Sequence, residues 1–182
     1  LSSTYHVSTL VAEELSQKYP ESKIYCVDTL AASMGEGLLV YLAAMKKQNG
    51  KTIEEVRDFA ESHKLNLCHW FTVDDLNHLK RGGRVSAATA LVGSLLNIKP
   101  ILHVDDEGHL INVGKVRGRK ASIEEVFNNM KKSAIDPQGQ TVFISHGDCE
   151  EDALTLKKMV EKEFHPKEIK INAIGPVIGA HS

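Results

Sequence analysis

Two apolar runs, Ile98–Val104 and His109–Val116, flank Asp105-Asp106-Glu107-Gly108, and this arrangement constrains the fold more than any other stretch of the sequence. A short polar link ending on glycine reverses the chain within one turn, and runs joined so closely can satisfy their backbone groups only as an antiparallel ladder. The spacing predicts a β-hairpin, and a hairpin needs further elements to cover its apolar face.

Those elements are legible on either side. Val7, Leu10, Val11 and Leu15 recur at three and four between Thr4 and Lys18, the period of one helical face, with Ser2 and Ser3 where an N-cap belongs. Lys23 to Asp28 reads as a short buried strand, and after Gly35 and Gly37 an apolar helix runs to Gln48, stopped by Asn49-Gly50. Thr52 with Glu55 forms a capping box that opens a helix to about Lys64, and Leu67 to Val73 is strand-like. Strands and helices alternate here, which predicts a parallel sheet. From Asp74 the pattern changes to a short helix carrying Leu76 and Leu79, the break Gly82-Gly83 and a helix from Ser86 to Leu96 ahead of the hairpin. Ser122 with Glu125 reads as a second capping box opening a helix to Ser133. Thr141–Ser145, a helix over Glu151–Phe164 and Glu168–Ala173 complete the pattern. The change of texture places a boundary near residues 65 to 70, between an α/β part and an α+β part with antiparallel strands.

A chain of 182 residues, 42% hydrophobic and 25% charged, buries enough surface to hold a core without disulfides or metal, and is far from disordered or collagenous composition. Its longest apolar run, Gly37 to Met45, is far short of the roughly 20 residues that span a bilayer. Cys26, Cys68 and Cys149 lie apart without paired spacing, and the nine histidines include no zinc-hydrolase pair, so the expectation is a reducing cytoplasm and no metal. The net charge of −2 hides a local excess: His78 to Lys120 carries eight Lys/Arg against Asp105, Asp106 and Glu107, or +5, leaving −7 elsewhere. That excess suits an anionic ligand or an acidic protein surface; it is too small and too poor in aromatics for a nucleic-acid platform.

Several constellations could carry chemistry. Ser33-Met34-Gly35-Glu36-Gly37 opens a helix, where backbone N–H groups can hold an anion; it lacks the P-loop Gly-Lys-Ser/Thr, and its glycines also suit tight packing. Ser2, Ser3 and Thr4 can cap a helix or turn hydroxyls toward an anion. His146 and His181 each sit in a turn, able to serve as a ligand or as structure. Lys80-Arg81-Gly82-Gly83-Arg84 and Lys115-Val116-Arg117-Gly118-Arg119-Lys120 offer guanidinium forks for carboxylate or phosphate, or a solvated basic face.

Taken together these residues resemble the DegV family of bacterial fatty-acid-binding proteins. Leu1-Ser2-Ser3-Thr4-Tyr5 is similar to the family's Leu-Ser-x-Thr-Tyr motif. Asp28 with Ser33-x-Gly35-x-Gly37, Asp75-Leu76-x-x-Leu79-Lys80-x-Gly82-Gly83-Arg84, Leu96-Asn97-Ile98-Lys99-Pro100-Ile101-Leu102, Lys115–Lys120, and Gly175 to Gly179 with His181 follow in the family's order. The resemblance implies a two-domain architecture, here a partial N-terminal α/β domain with a parallel sheet (1–66) and a C-terminal lipid-binding α+β domain (67–182). It implies a non-catalytic carrier that encloses a long-chain fatty acid and presents its carboxylate to a fatty acid kinase for phosphorylation, with a transient membrane-surface contact and no cofactor. Ser2 and His181 are then expected at the carboxylate, with Ser3 in place of the usual small residue and His6 in place of the usual Gln. Leu91, Leu95, Ile98 and Ile101 are expected along the acyl chain, and Arg84, Arg117 and Arg119 on the face that meets the kinase or acyl phosphate. The family also begins some tens of residues earlier, with a strand-rich segment supplying another hydroxyl. The competing expectation is an enzyme holding a phosphorylated metabolite at the Gly35/Gly37 loop.

Overall fold

The computed structural model describes residues 2–74, 76–86 and 97–181 of the chain. In order, the elements are α1 (Thr4–Lys18), α2 (Ser33–Gln48), α3 (Ile53–His63), β1 (Trp70–Thr72), α4 (Asn77–Arg81), β2 (Ile98–Val104), β3 (Leu110–Arg117), α5 (Arg119–Ser133), β4 (Thr141–His146), α6 (Glu150–Phe164), β5 (Glu168–Ala173) and α7 (Pro176–Gly179).

The hairpin forms as its turn chemistry demands. Asp105 Oδ1 accepts the backbone N–H groups of Glu107 and His109 at 2.9 and 2.8 Å, and Gly108 takes the positive φ of 78° that glycine tolerates. β2 pairs antiparallel with β1 on one edge and β3 on the other, with Val113 skipped where the register shifts opposite Ile101 and Leu102. Leu102 is fully buried, clustered with Leu76, Leu79 and Val85 and flanked by Phe71, Val73 and Leu110. Each such leucine contributes about 1.5–3 kcal/mol by burial. α5 packs against all three strands, where Trp70 Nε1 donates to Ser133 Oγ at 3.2 Å and stacks on His103 at 4.3 Å.

Parallel pairing occurs between β4 and β5, which run Thr141 beside Glu168 to His146 beside Ala173 with α6 as the crossover. α2 lies on β4: the rings of Tyr41 and Phe143 are 5.5 Å apart, and the Tyr41 hydroxyl donates to Glu168 at 3.2 Å. The strand expected over Lys23–Asp28 carries no ladder among the described residues. Its side chains are engaged by α3 instead: Lys23 pairs with Glu54 at 2.5 Å, and Arg57 lies 4.4 Å over the Tyr25 ring. The strand read over Leu67–Val73 shrinks to β1 and is antiparallel, because β2 presents the only ladder edge it meets among the described residues.

Thr52 and Glu55 form the reciprocal capping box at α3. The second box does not form. The N-cap is Gly118, at φ 88°, four residues before Ser122, so Ser122 is a buried helical residue whose hydroxyl donates to Arg119 O at 2.7 Å. Ser3 is the N-cap of α1 without a side-chain cap bond; Ser2 Oγ accepts the Thr4 N–H instead, at 3.2 Å. The stripe on α1 stays open, with Val7, Leu10 and Val11 exposed. The helix expected over Ser86–Leu96 lies almost wholly outside the described residues. None of the described helices is long and apolar enough to cross a membrane.

Just before β1, the His69 ring lies against Gly35 in the first turn of α2, where an added Cβ would stand 1.7 Å from Nε2. Gly35→Ala should cost about 1–3 kcal/mol in urea unfolding, and combining it with His69→Ala should cost less than the two losses added. Burial, and secondarily His103, holds the His69 imidazole below its usual value of 6.5. The unfolded chain then takes up this proton first, so the contribution to stability is complete above the unfolded value and is lost as pH falls through the lowered folded value. Unfolding of wild type and His69→Gln compared between about pH 7.5 and about pH 5 should show a shallower acid loss in the variant.

Candidate functional site

α4 is one and a half turns long, pinned from below by Leu76, Leu79 and Val85, and it ends on the double glycine. Gly83 takes φ 72°, a conformation that costs a side-chain-bearing residue, and this reversal turns Arg84 back so that its guanidinium donates to the Gly82 carbonyl. Against this corner docks the end of the chain. The single-turn helix α7 leads to Ala180, whose carbonyl lies 3.0 Å from His78 Nε2, and the His181 N–H donates to Ile178 O at 2.9 Å. A methyl on Gly82 would sit 3.4 Å from the His181 carbonyl and 3.5 Å from its Nδ1. Two motifs about a hundred residues apart in sequence, the Gly-Gly-Arg break and the terminal histidine, are thereby brought into contact.

The cations of the +5 segment divide into two groups. Lys99 Nζ bonds Asp74 Oδ1 at 2.7 Å, and this contact holds the Asp74 carboxyl below the usual range. Arg119, half-buried at the start of α5, donates to Asp152 at 2.7 Å and to Cys149 Sγ at 3.5 Å. Burial is the largest single influence and works against its charge, but Asp152 together with Cys149 and Asp74 outweighs it, and the guanidinium is held above its ordinary value. Arg119 is therefore already engaged by a carboxylate of its own chain. Arg117 is exposed and stands opposite Ile98 in the hairpin; among the described residues no ion pair holds it. Sequence reasoning missed His78, and the signal available was the i, i+3 spacing of His78 and Arg81 on a helix just ahead of the break.

Ser2 and Ser3 are exposed at the start of α1, Ser2 bonding Thr4 Oγ1 at 2.8 Å, and neither hydroxyl bonds His181 among the described residues. Ile98 and Ile101 lie on opposite faces of the sheet by the pleat of β2; Ile101 is 1% exposed, Ile98 half-buried. Leu91 and Leu95 fall outside the described residues. At the Gly35/Gly37 segment, Gly35 serves packing against His69, while a Cβ on Gly37 would meet Met34 and Phe143 only at ordinary van der Waals distances. His146 closes β4 with Nδ1 buried and without a hydrogen-bond partner among the described residues. A cleft of about 230 Å³ between Leu30, Leu65, Trp70 and His103 includes none of the candidate residues. No cluster of three His, Cys, Asp or Glu among the described residues could hold a metal.

The DegV family model matches residues 1–182. The chain belongs to the DegV family. A DegV domain-containing protein of Clostridium perfringens is 50% identical over all of this chain and 62% of its own length, and one of Streptococcus pyogenes is 38% identical over the same share. The chain spans about three fifths of the length of the curated relatives it matches. Among solved structures, a Thermus thermophilus DegV family protein described as binding fatty acid is 30% identical with a TM-score of 0.83, over 99% of this chain and 62% of that one. The Streptococcus pneumoniae fatty acid kinase B3 protein, loaded with linoleic acid, has a TM-score of 0.91 at 22% identity, over 100% of this chain and 64% of that one. The α/β arrangement described above, with its antiparallel three-stranded sheet and its parallel pair, matches the fold of these neighbours over about three fifths of their length.

The pairing of Arg119 with Asp152 separates it from the other candidate arginines. Arg119→Ala should lower stability by about 1 kcal/mol in urea unfolding, since a half-exposed charge-assisted bond is lost and Asp152 is left unpaired. Arg117→Ala should leave stability unchanged within about 0.5 kcal/mol.

Proposed function

We propose that this protein binds one long-chain fatty acid and presents its carboxylate to a fatty acid kinase, itself performing no catalysis and acting in the cytoplasm with a transient membrane-surface contact. The observation that supports the reading is the docking of the His181 turn on Gly82-Gly83-Arg84, which brings an imidazole and a guanidinium to one corner of the fold. A carboxylate leaving water needs hydrogen-bond donors, and an acyl phosphate formed on it needs a cation nearby; this corner offers both. The DegV relatives described as fatty-acid-binding support the same class of ligand.

In this reading the Ser2 hydroxyl and His181 hold the carboxylate, with Ser3 beside them, and Ile98 with Leu91 and Leu95 lines the acyl chain, while Ile101, on the opposite face of β2, belongs to the core. Burying a hexadecanoyl chain at about 0.8 kcal/mol per CH₂ yields roughly 10 kcal/mol gross, more than the several kcal/mol lost to ordering. Arg84 and Arg117 face the kinase and the transferred phosphoryl group, and Arg119 braces that face through Asp152. Residues 67–182 form the lipid-binding unit and residues 1–66 belong to the preceding α/β unit.

Lipid extracted from the purified protein and analysed by mass spectrometry should contain long-chain fatty acid at close to one equivalent. Ser2→Ala and His181→Ala should each lower affinity for the fatty acid roughly tenfold, the loss of one charge-assisted hydrogen bond, and with it the co-purified occupancy. Arg84→Ala and Arg117→Ala should keep occupancy and reduce acyl-phosphate formation when the kinase and ATP are added. A folded wild-type protein free of lipid that takes up none on incubation would sink the proposal.

A further inference from the structure

We propose that His78 is a positioning residue: a neutral imidazole, locked in one tautomer by Arg81, that clamps the chain at Ala180 and so sets where His181 stands. Arg81 Nη2 lies 3.2 Å from His78 Nδ1, and His78 Nε2 lies 3.0 Å from the Ala180 carbonyl oxygen. A guanidinium carries only donors, so Nδ1 must accept; a carbonyl oxygen only accepts, so Nε2 must donate. One protonation state satisfies both bonds, the neutral ring with its hydrogen on Nε2. Moving that hydrogen to Nδ1, or adding a second one, breaks the Arg81 contact.

The clamp rests on a rigid base. His78 lies beside Leu79, which is 3% exposed in the core cluster, and the next helical position of the same stripe, Leu76, is 1% exposed. The order of support runs from the buried leucines to α4, from α4 through the His78 ring to Ala180, and across one peptide bond to His181. The second tie, from the His181 N–H to Ile178 O, is local to the terminal turn and cannot fix that turn against α4. Gly82 leaves the space that a side chain there would contest with His181. The His78 bond to the Ala180 carbonyl joins the two motifs directly. The consequence for ligand binding depends on the role given to His181 above; the tautomer and the clamp do not.

Both can be read by NMR of the imidazole nitrogens in the intact protein, with affinity for palmitic acid measured in parallel. Wild-type His78 should show a protonated Nε2 and a bare Nδ1 near neutral pH. In His78→Ala the His181 signals should move toward those of a free turn and affinity for palmitic acid should fall roughly tenfold, whereas His78→Gln, whose amide nitrogen stands close to Nε2 and donates, should restore both within about threefold. A wild-type ring protonated on Nδ1, or His181 signals unchanged in His78→Ala, would overturn the clamp. If those signals move and Gln restores them while wild type binds no palmitic acid, the clamp stands and the fatty-acid reading is what fails.

Discussion

The structure depends on the complete desolvation of β2. Ile101 and Leu102 are adjacent, point to opposite faces, and are 1% and 0% exposed, so the strand must be covered on both sides and hydrogen-bonded along both edges. An uncovered face would return apolar area to water, and an unpaired edge inside the fold would leave backbone groups without partners. α5 covers one face. On the other, Leu102 gathers Leu76, Leu79 and Val85, and that contact holds α4 and the double glycine in place. The candidate site is thus a by-product of core packing: the leucines fix the platform, and the platform's exposed end carries the histidines and arginines.

The electrostatics follow from the same packing. A +5 segment reads in the sequence as one basic surface, but the fold draws Asp74 onto Lys99 and Asp152 onto Arg119, both contacts made between segments distant in sequence. Partial burial makes such partners necessary, since a half-desolvated cation without one would be costly. What is left without an acidic partner among the described residues is a smaller set, Arg84 and Arg117 with the exposed Lys80, Arg81 and Lys115. This set lies at the α4 corner and along the hairpin.

The two capping-box patterns show how far local reading reaches. Thr52-x-x-Glu55 and Ser122-x-x-Glu125 are equivalent as strings, yet only the first caps a helix. At α3 the preceding Asn49-Gly50 has already ended the earlier helix, so nothing competes for the start. At α5, Gly118 in a positive-φ conformation lets the chain turn directly out of β3, and the helix starts at once, carrying Ser122 into the interior. Lys23–Asp28 teaches the same lesson for strands: alternation and apolar content make a segment able to pair, but a ladder needs a partner, and here α3 engages its side chains instead.

The sequence by itself determined the hairpin, the positions of nearly all the described helices, the family, and the residue types gathered at the candidate site. Those depend on turn chemistry, periodicity and motif order, which act over a few residues at a time. Only the tertiary structure decided which cations remain unpaired, that Gly35 makes room for His69, that Ile98 and Ile101 face opposite sides, and that His181 comes to rest on the Gly82 corner with His78 beside it. Each of these is a contact between segments far apart in sequence, selected by the burial of β2 and invisible to any local pattern.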